Sequence, residues 1–218
     1  MTSYKMVICD FDGTLADSAP WFMQTLNQLA DRHGFRKVSD QEIEMLRGKS
    51  NREIIRYLGV RFWQMPAIAR EMRKRSAEAA NSIRLFDGVP ELLNSLKANG
   101  LRTAIVSSNG EDTVRRVLGK TASLVDHYAC GASVFGKASK FRSVGRQLRL
   151  KPGEILAVGD EGRDVEAAHQ AGFASAAVTW GYATEDALRR CSPTFVVNTV
   201  AELAALLLGA PMTVPSDQ

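Results

Sequence analysis

From about residue 86 to residue 208, short apolar runs rich in β-forming residues alternate with segments of helical periodicity. Residues 91–98, closed by Gly100, read as a helix; 101–106 read as a strand, 112–118 as a helix and 128–130 as a short strand. Helices over 139–148 and 165–171, strands over 155–158, 174–178 and 195–197, and a last helix near 201–208 complete the series. Successive strands separated by helices need crossover connections, so they pair in parallel, and a parallel sheet must be covered on both faces. The chain therefore predicts an α/β fold built on a doubly wound parallel sheet, whose reactive groups gather at the carboxyl ends of the strands.

Four stretches place chemistry at such ends. The apolar run Tyr4-Lys5-Met6-Val7-Ile8-Cys9 leads straight into Asp10-Phe11-Asp12-Gly13-Thr14-Leu15. Side chains two apart on an extended strand share a face, so Asp10 and Asp12 need a cation or a shared proton between them. Standing by itself, Asp-x-Asp-Gly reads as a strand followed by an Asx turn. Thr103-Ala104-Ile105-Val106-Ser107-Ser108-Asn109 ends a second strand in a hydroxyl and exposed backbone amides. Such donors suit phosphoryl oxygens, although the same residues can simply open the helix that follows. Phe135-Gly136-Lys137-Ala138-Ser139-Lys140 is a basic entry to a helix, with Lys137 in the loop and Lys140 on the first turn. Last, Leu156-Ala157-Val158-Gly159-Asp160 delivers an acid from a strand, and Asp164 follows one helical turn later. Hard carboxylate oxygens in this arrangement suit Mg²⁺.

Residues 16–85 have a different character, nearly all helix with no strand. Ser18 and Pro20 open a helix that runs to Gly34; Ser39 with Glu42, and Ser50 with Glu53, form capping-box patterns; Pro66 starts a fourth helix to about Ala80. The expected organisation is a core of 1–15 and 86–218 with an all-α insert of 16–85. The insert carries 13 Lys and Arg against 8 Asp and Glu, while the rest is nearly balanced at 15 against 16. A basic insert facing an acidic site suits a small anionic substrate. Arg47, Lys49 and Arg52 surround the helix break at Gly48 and are the candidates to meet it. No basic run is interleaved with aromatics, so nucleic acid is not an expected partner. No apolar run reaches membrane-spanning length. Three unpaired cysteines, and chemistry beginning at residue 10, point to a cytoplasmic protein; a monomer or homodimer is expected. Cys9 reads as a small apolar residue of a buried strand, and the residues from Pro211 as a frayed tail.

Taken in order, the four stretches resemble the motifs of the haloacid dehalogenase-like superfamily of phosphohydrolases, and the helical insert resembles its C1 cap. Val178-Thr179-Trp180-Gly181-Tyr182 further resembles the phosphoglycolate phosphatase-like and β-phosphoglucomutase-like branch. The resemblance implies a Mg²⁺-dependent phosphatase acting on a small phosphorylated metabolite through an aspartyl-phosphate. It casts Asp10 as nucleophile and Asp12 as general acid and base. Ser107, with Ser108 and Asn109, and Lys137 would hold the phosphoryl oxygens. Asp10, the Asp12 backbone carbonyl and Asp160 would hold the metal, with Asp164 behind them. Many phosphatases of this type carry Lys-Pro-x-Pro where this chain has Lys137-Ala138-Ser139-Lys140, so both lysines stay open for the phosphate role; Phe141 and Val144 favour Lys137. Rival readings are a phosphomutase, a phosphonatase with Lys49 as its Schiff-base lysine, and a phosphate-binding module without turnover. Asp12 speaks against the last, because binding alone does not need a proton donor.

Overall fold

The computed structural model describes residues 4–131 and 136–209. The expected tail from Pro211, and Phe135 of the basic stretch, lie outside the described residues. In chain order, β1 (Met6–Cys9) and β2 (Ala16–Asp17) lead into α1 (Ala19–His33), α2 (Asp40–Arg47), α3 (Asn51–Leu58) and α4 (Met65–Ala79), after which β3 (Arg84–Leu85) returns the chain. There follow α5 (Val89–Ala98), β4 (Arg102–Ile105), α6 (Glu111–Leu118), β5 (His127–Tyr128), α7 (Lys137–Gln147), β6 (Ile155–Gly159), α8 (Gly162–Ala171), β7 (Ala174–Val178), α9 (Glu185–Arg190), β8 (Phe195–Val197) and α10 (Val200–Leu208).

Six strands form one sheet in the order β5-β4-β1-β6-β7-β8, and each neighbouring pair is parallel. The strand alternation sorts the core into two layers. Val7 and Cys9 with Leu156 and Val158 face Leu92, Leu93 and Leu96 of α5 and Leu203 of α10. Met6 and Ile8 with Ile155 and Ala157 face Phe141 and Val144 of α7 and Ala167 and Ala168 of α8. The doubly wound parallel sheet is as expected. Because β4 and β6 flank β1 on opposite sides, the chain reverses its direction of winding there, and the loops leaving β1, β4 and β6 part to open a crevice.

The four helices of the insert pack on a cluster of their own, centred on Leu26, Leu29, Ala30, Phe35, Val38, Leu46 and Leu58. Both capping boxes form, Ser39 with Glu42 and Ser50 with Glu53. Ser18 does not cap α1: its side chain makes no cap bond and its hydroxyl instead meets Tyr182 Oη at 2.9 Å. The insert also begins and ends in strand, against expectation, since Ala16 and Asp17 pair antiparallel with Leu85 and Arg84. Two-residue strands carry no periodicity, and only the returning chain supplies their partners. A further helix, α9, was not expected either; Thr184 caps it by accepting from the Ala187 N–H. α7 starts two residues earlier than predicted, so Lys137 opens the helix and does not lie in the loop. No helix of the described residues is long and apolar enough to cross a membrane.

Candidate active site

The crevice at β1 gathers the four chemical stretches. Asp10, one residue past β1, is buried and accepts from the Phe11 N–H at 2.8 Å through Oδ1. Its Oδ2 lies 2.5 Å from Lys137 Nζ, and the same ammonium reaches Asp164 Oδ1. Asp164 Oδ2 accepts from the Glu161 N–H at 3.1 Å. Asp160 is buried at the end of β6, taking the Thr14 hydroxyl at 2.7 Å on Oδ1 and the Tyr182 N–H at 2.8 Å on Oδ2. Carboxylate oxygens of Asp10, Asp160 and Asp164 lie within 4.8 Å of one another. Three acids that close, with oxygen donors aimed inward, fit a hard divalent cation.

Asp12 stands outside this trio. The chain leaves extended geometry at once, with Leu15 and Ala16 N–H both donating to the Phe11 carbonyl. The Asp12 carboxylate turns to Asn109, whose Nδ2 donates to Oδ2 at 2.8 Å. The two acids of the first stretch therefore do not share one cation through their side chains, as extended geometry alone had suggested. Ser107 is buried past β4 and its hydroxyl accepts from the Asn109 N–H at 3.0 Å, while Ser108 lies half-buried beside it. Lys140 points elsewhere, its Nζ 3.4 Å from the Cys130 carbonyl. Of the two candidate lysines, only Lys137 lies among the acids.

Close packing sets the glycine positions. Gly13 adopts φ +77°, and a Cβ there would lie 2.2 Å from Asp160 Oδ2. At Gly181 a Cβ would lie 2.3 Å from Asp160 Cβ and 2.4 Å from the Gly13 carbonyl oxygen. The loop after β7 thus presses on the loop after β1. Trp180 Nε1 donates to the Thr14 carbonyl at 3.0 Å, and the Tyr182 ring meets Phe22 of the insert edge-on at 5.5 Å. Trp180 and Tyr182 brace the first stretch and the root of the insert. The residues bound to this pair, Thr14 and Ser18, carry no site signal of their own in the sequence.

Burial and mutual repulsion set the protonation balance. Burial first, then the Asp10 charge, pushes Asp12 up to about 6. Burial also pushes Asp164 up to about 6 against the pull of Lys137, and carries Asp160 well above the usual carboxylate range. Burial works against charge on Lys137, but Asp10 and Asp164 more than offset it and the ammonium is held. Cys9 is pushed up to about 12 by burial, which leaves an inert thiol.

The insert faces this edge across a cleft of about 530 Å³. Arg47, Lys49 and Arg52 all line it, but they are used differently. Arg47 donates to the Tyr182 carbonyl at 3.0 Å and the Gly181 carbonyl at 3.4 Å, tying the insert to the loop after β7. Thr184 N–H to the Arg47 carbonyl and Arg190 Nη2 to the Gly48 carbonyl add to the tie. Lys49 and Arg52 are exposed, with no ion pair among the described residues. Asn51 Nδ2 donates to Glu161 Oε1 at 3.0 Å, directly beside Asp160. Neither Asn51 nor Glu161 carried a signal in the sequence, because the contact spans 110 positions.

A family model described as haloacid dehalogenase-like hydrolase matches residues 7–178. The chain is 31% identical over 201 residues to the phosphoglycolate phosphatase of Synechococcus elongatus, covering 91% of this chain and 95% of that one. It is also 31% identical over 213 residues to the tyrosine-protein kinase PtkA of Mycobacterium tuberculosis, covering 94% of this chain and 73% of that one. A haloacid dehalogenase-like family hydrolase from Streptococcus pneumoniae shares the fold with TM-score 0.78, over 94% of this chain and 99% of that chain, at 20% identity.

Proposed function

This chain belongs to the haloacid dehalogenase-like hydrolases and is a phosphatase of the phosphoglycolate phosphatase-like branch; on that premise we propose that it hydrolyses a small phosphomonoester through a phosphorylated Asp10, with Mg²⁺ as cofactor. The observation that carries the proposal is the division of the acids: Asp10, Asp160 and Asp164 converge, while Asp12 is held apart on Asn109.

Asp10 is the nucleophile: it belongs to the acid trio, stands one residue past β1 between the loops after β4 and β6, and is paired with Lys137. Its carboxylate oxygen forms a bond to phosphorus as the bond from phosphorus to the leaving alkoxide breaks. Asp12 gives its proton to that alkoxide, then takes one from the water that attacks phosphorus and frees Asp10. A carboxyl raised to about 6 is suited to both duties near neutral pH. Ser107, the amides after it and Lys137 take the phosphoryl oxygens, and Lys137 also neutralises the nucleophile between turnovers. Asp10, the Asp12 carbonyl and Asp160 would hold Mg²⁺, with Asp164 behind them; when bound, it supplies Lewis-acid neutralisation of the phosphoryl charge.

Residues 16–85 act in this proposal as a cap that closes over the crevice, with the β2–β3 pair as its root, and exclude bulk water from the phosphorylated aspartate. The first substrate candidate is a small phosphorylated acid, supported by the likeness to the Synechococcus phosphoglycolate phosphatase and by the basic cleft. The chain works in the cytoplasm in this reading, which the three free thiols support. Phosphate release from a panel of phosphomonoesters, with Mg²⁺ or with chelator, beside an Asp10→Asn control, is the test. Release that survives the control removes Asp10 from its role. Replacing Arg47, Lys49 and Arg52 together by Ala should flatten the substrate ranking; an intact ranking removes them as selectors.

The likeness to PtkA favours a second reading, in which a protein hydroxyl takes the place of water as acceptor. Transfer of label from γ-labelled ATP to protein, in place of free phosphate, would select it.

A further inference from the structure

The cleft between cap and core holds a cation that neither the chemistry nor the cap tether uses. Arg163 is the second residue of α8. Its neighbour Asp164 turns inward to Lys137, while Arg163 lines the cleft. Its Nη2 pairs with Glu161 Oε2, and its Nε is closed off from solvent without a hydrogen-bond partner among the described residues. A buried N–H left without an acceptor is destabilising, and an acceptor supplied by a ligand relieves it.

The other cations of the cleft are divided by what holds them. Lys137 is committed to Asp10 and Asp164, Arg47 to two carbonyls of the loop after β7, and Arg190 to the Gly48 carbonyl. That leaves Lys49 and Arg52 on the cap wall facing Arg163 on the core wall. Six cations stand against three carboxylates in the lining, so the cleft carries a positive surplus beyond its internal pairs. A planar guanidinium fork matches a carboxylate or phosphate better than any other side chain does. Glu161 holds that fork meanwhile, and its second oxygen already takes the Asn51 amide of the cap.

We propose, resting on the phosphatase reading above, that Arg163 is a specificity-determining residue that receives a second anionic group of the substrate, a carboxylate or phosphate on its leaving-group side, while Lys49 and Arg52 close over that group from the cap. An anion entering here replaces Glu161 on the guanidinium, and Glu161 stays with Asn51. The anion and the closed cap are thereby recognised together.

The test compares kcat/KM for 2-phosphoglycolate with kcat/KM for phenyl phosphate, whose tail is uncharged, in the wild type, Arg163→Ala and Arg163→Lys. The ratio should fall about 10- to 100-fold in Arg163→Ala, mostly through KM, and recover in part in Arg163→Lys. An unchanged ratio overturns the proposal, because a residue that merely supports Asp164 would slow both substrates alike. Calorimetry on Asp10→Asn protein, with and without Arg163→Ala, reads binding without turnover. A loss of affinity for 2-phosphoglycolate that inorganic phosphate does not share supports the assignment; equal affinities overturn it. Wild-type protein that releases phosphate from no phosphomonoester would sink the phosphatase reading and leave the calorimetry to judge Arg163.

Discussion

The carboxyl edge of the sheet and the cap wall facing it hold their charges in opposite ways. At the edge, Asp10, Asp160 and Asp164 are each buried and each fixed by two hydrogen-bonding or ionic partners drawn from different elements. Across the cleft, Lys49 stands exposed at the break between α2 and α3, and Arg52 on the first turn of α3. Stiffness at the edge holds reacting groups in one geometry, which is where positioning contributes most to rate. In the proposed closure of the cap, looseness at the wall leaves cations able to follow a substrate tail. The cap nonetheless has a well-formed interior of its own, so the looseness belongs to its surface and not to its fold.

Substitutions at the edge should therefore act on chemistry, and substitutions in the cap on affinity or local stability. Asp10→Asn should lower kcat by about 10⁴-fold or more with the protein still folded, since in the proposed mechanism it replaces the attacking carboxylate by a neutral amide. Next, Asp12→Asn should cost about 10²- to 10⁴-fold in kcat, with little change in KM and with alkyl leaving groups hurt more than phenolic ones. A loss independent of the leaving group would take Asp12 out of proton transfer. Gly181→Ala places a Cβ 2.3 Å from Asp160 Cβ, and thermal melting should show a loss of about 1–3 kcal/mol. Mg²⁺ affinity should weaken with it, because Asp160 must move.

The fourth prediction concerns pH. Asp12 and Asp164 are raised from an ordinary 3.8 to about 6, so the folded chain holds their protons more tightly than the unfolded chain. Their contribution to stability is complete below the ordinary value and is lost as pH rises through about 6. A divalent cation should offset that loss where the acids are ionised. Mg²⁺ should then raise the melting temperature by several degrees at about pH 7.5 and by much less at about pH 4.5. An equal shift at both would mean that Mg²⁺ binds elsewhere. The smallest effect belongs to the cap: Ser39→Ala removes the acceptor for the Glu42 N–H and should cost about 1 kcal/mol of stability, with kcat unaltered.

Local chemistry made much of this readable from the chain alone. Apolar runs alternating with helical segments determine a parallel sheet, because each strand hydrogen-bonds only through a crossover and needs cover on both faces. Ser39 with Glu42, and Ser50 with Glu53, close capping boxes within four residues, so nothing remote can undo them. Asp10, Ser107 and Asp160 were legible for the same reason, each standing at or just past the end of an apolar run whose direction the next helix dictates. Tertiary structure decided what depends on contacts between distant segments. Ala16 pairs with Leu85 from the far end of the insert, Ser18 meets Tyr182 in place of capping α1, and Asn51 reaches Glu161 from another layer. Asp12 departs from Asp10 because Asn109 waits on a neighbouring loop, and Lys137 surpasses Lys140 because helix phase points one at the acids and the other at Cys130. Spacing along the chain specifies which groups a strand end presents; only packing specifies which of them meet, since burial and charge act through space and not along the sequence.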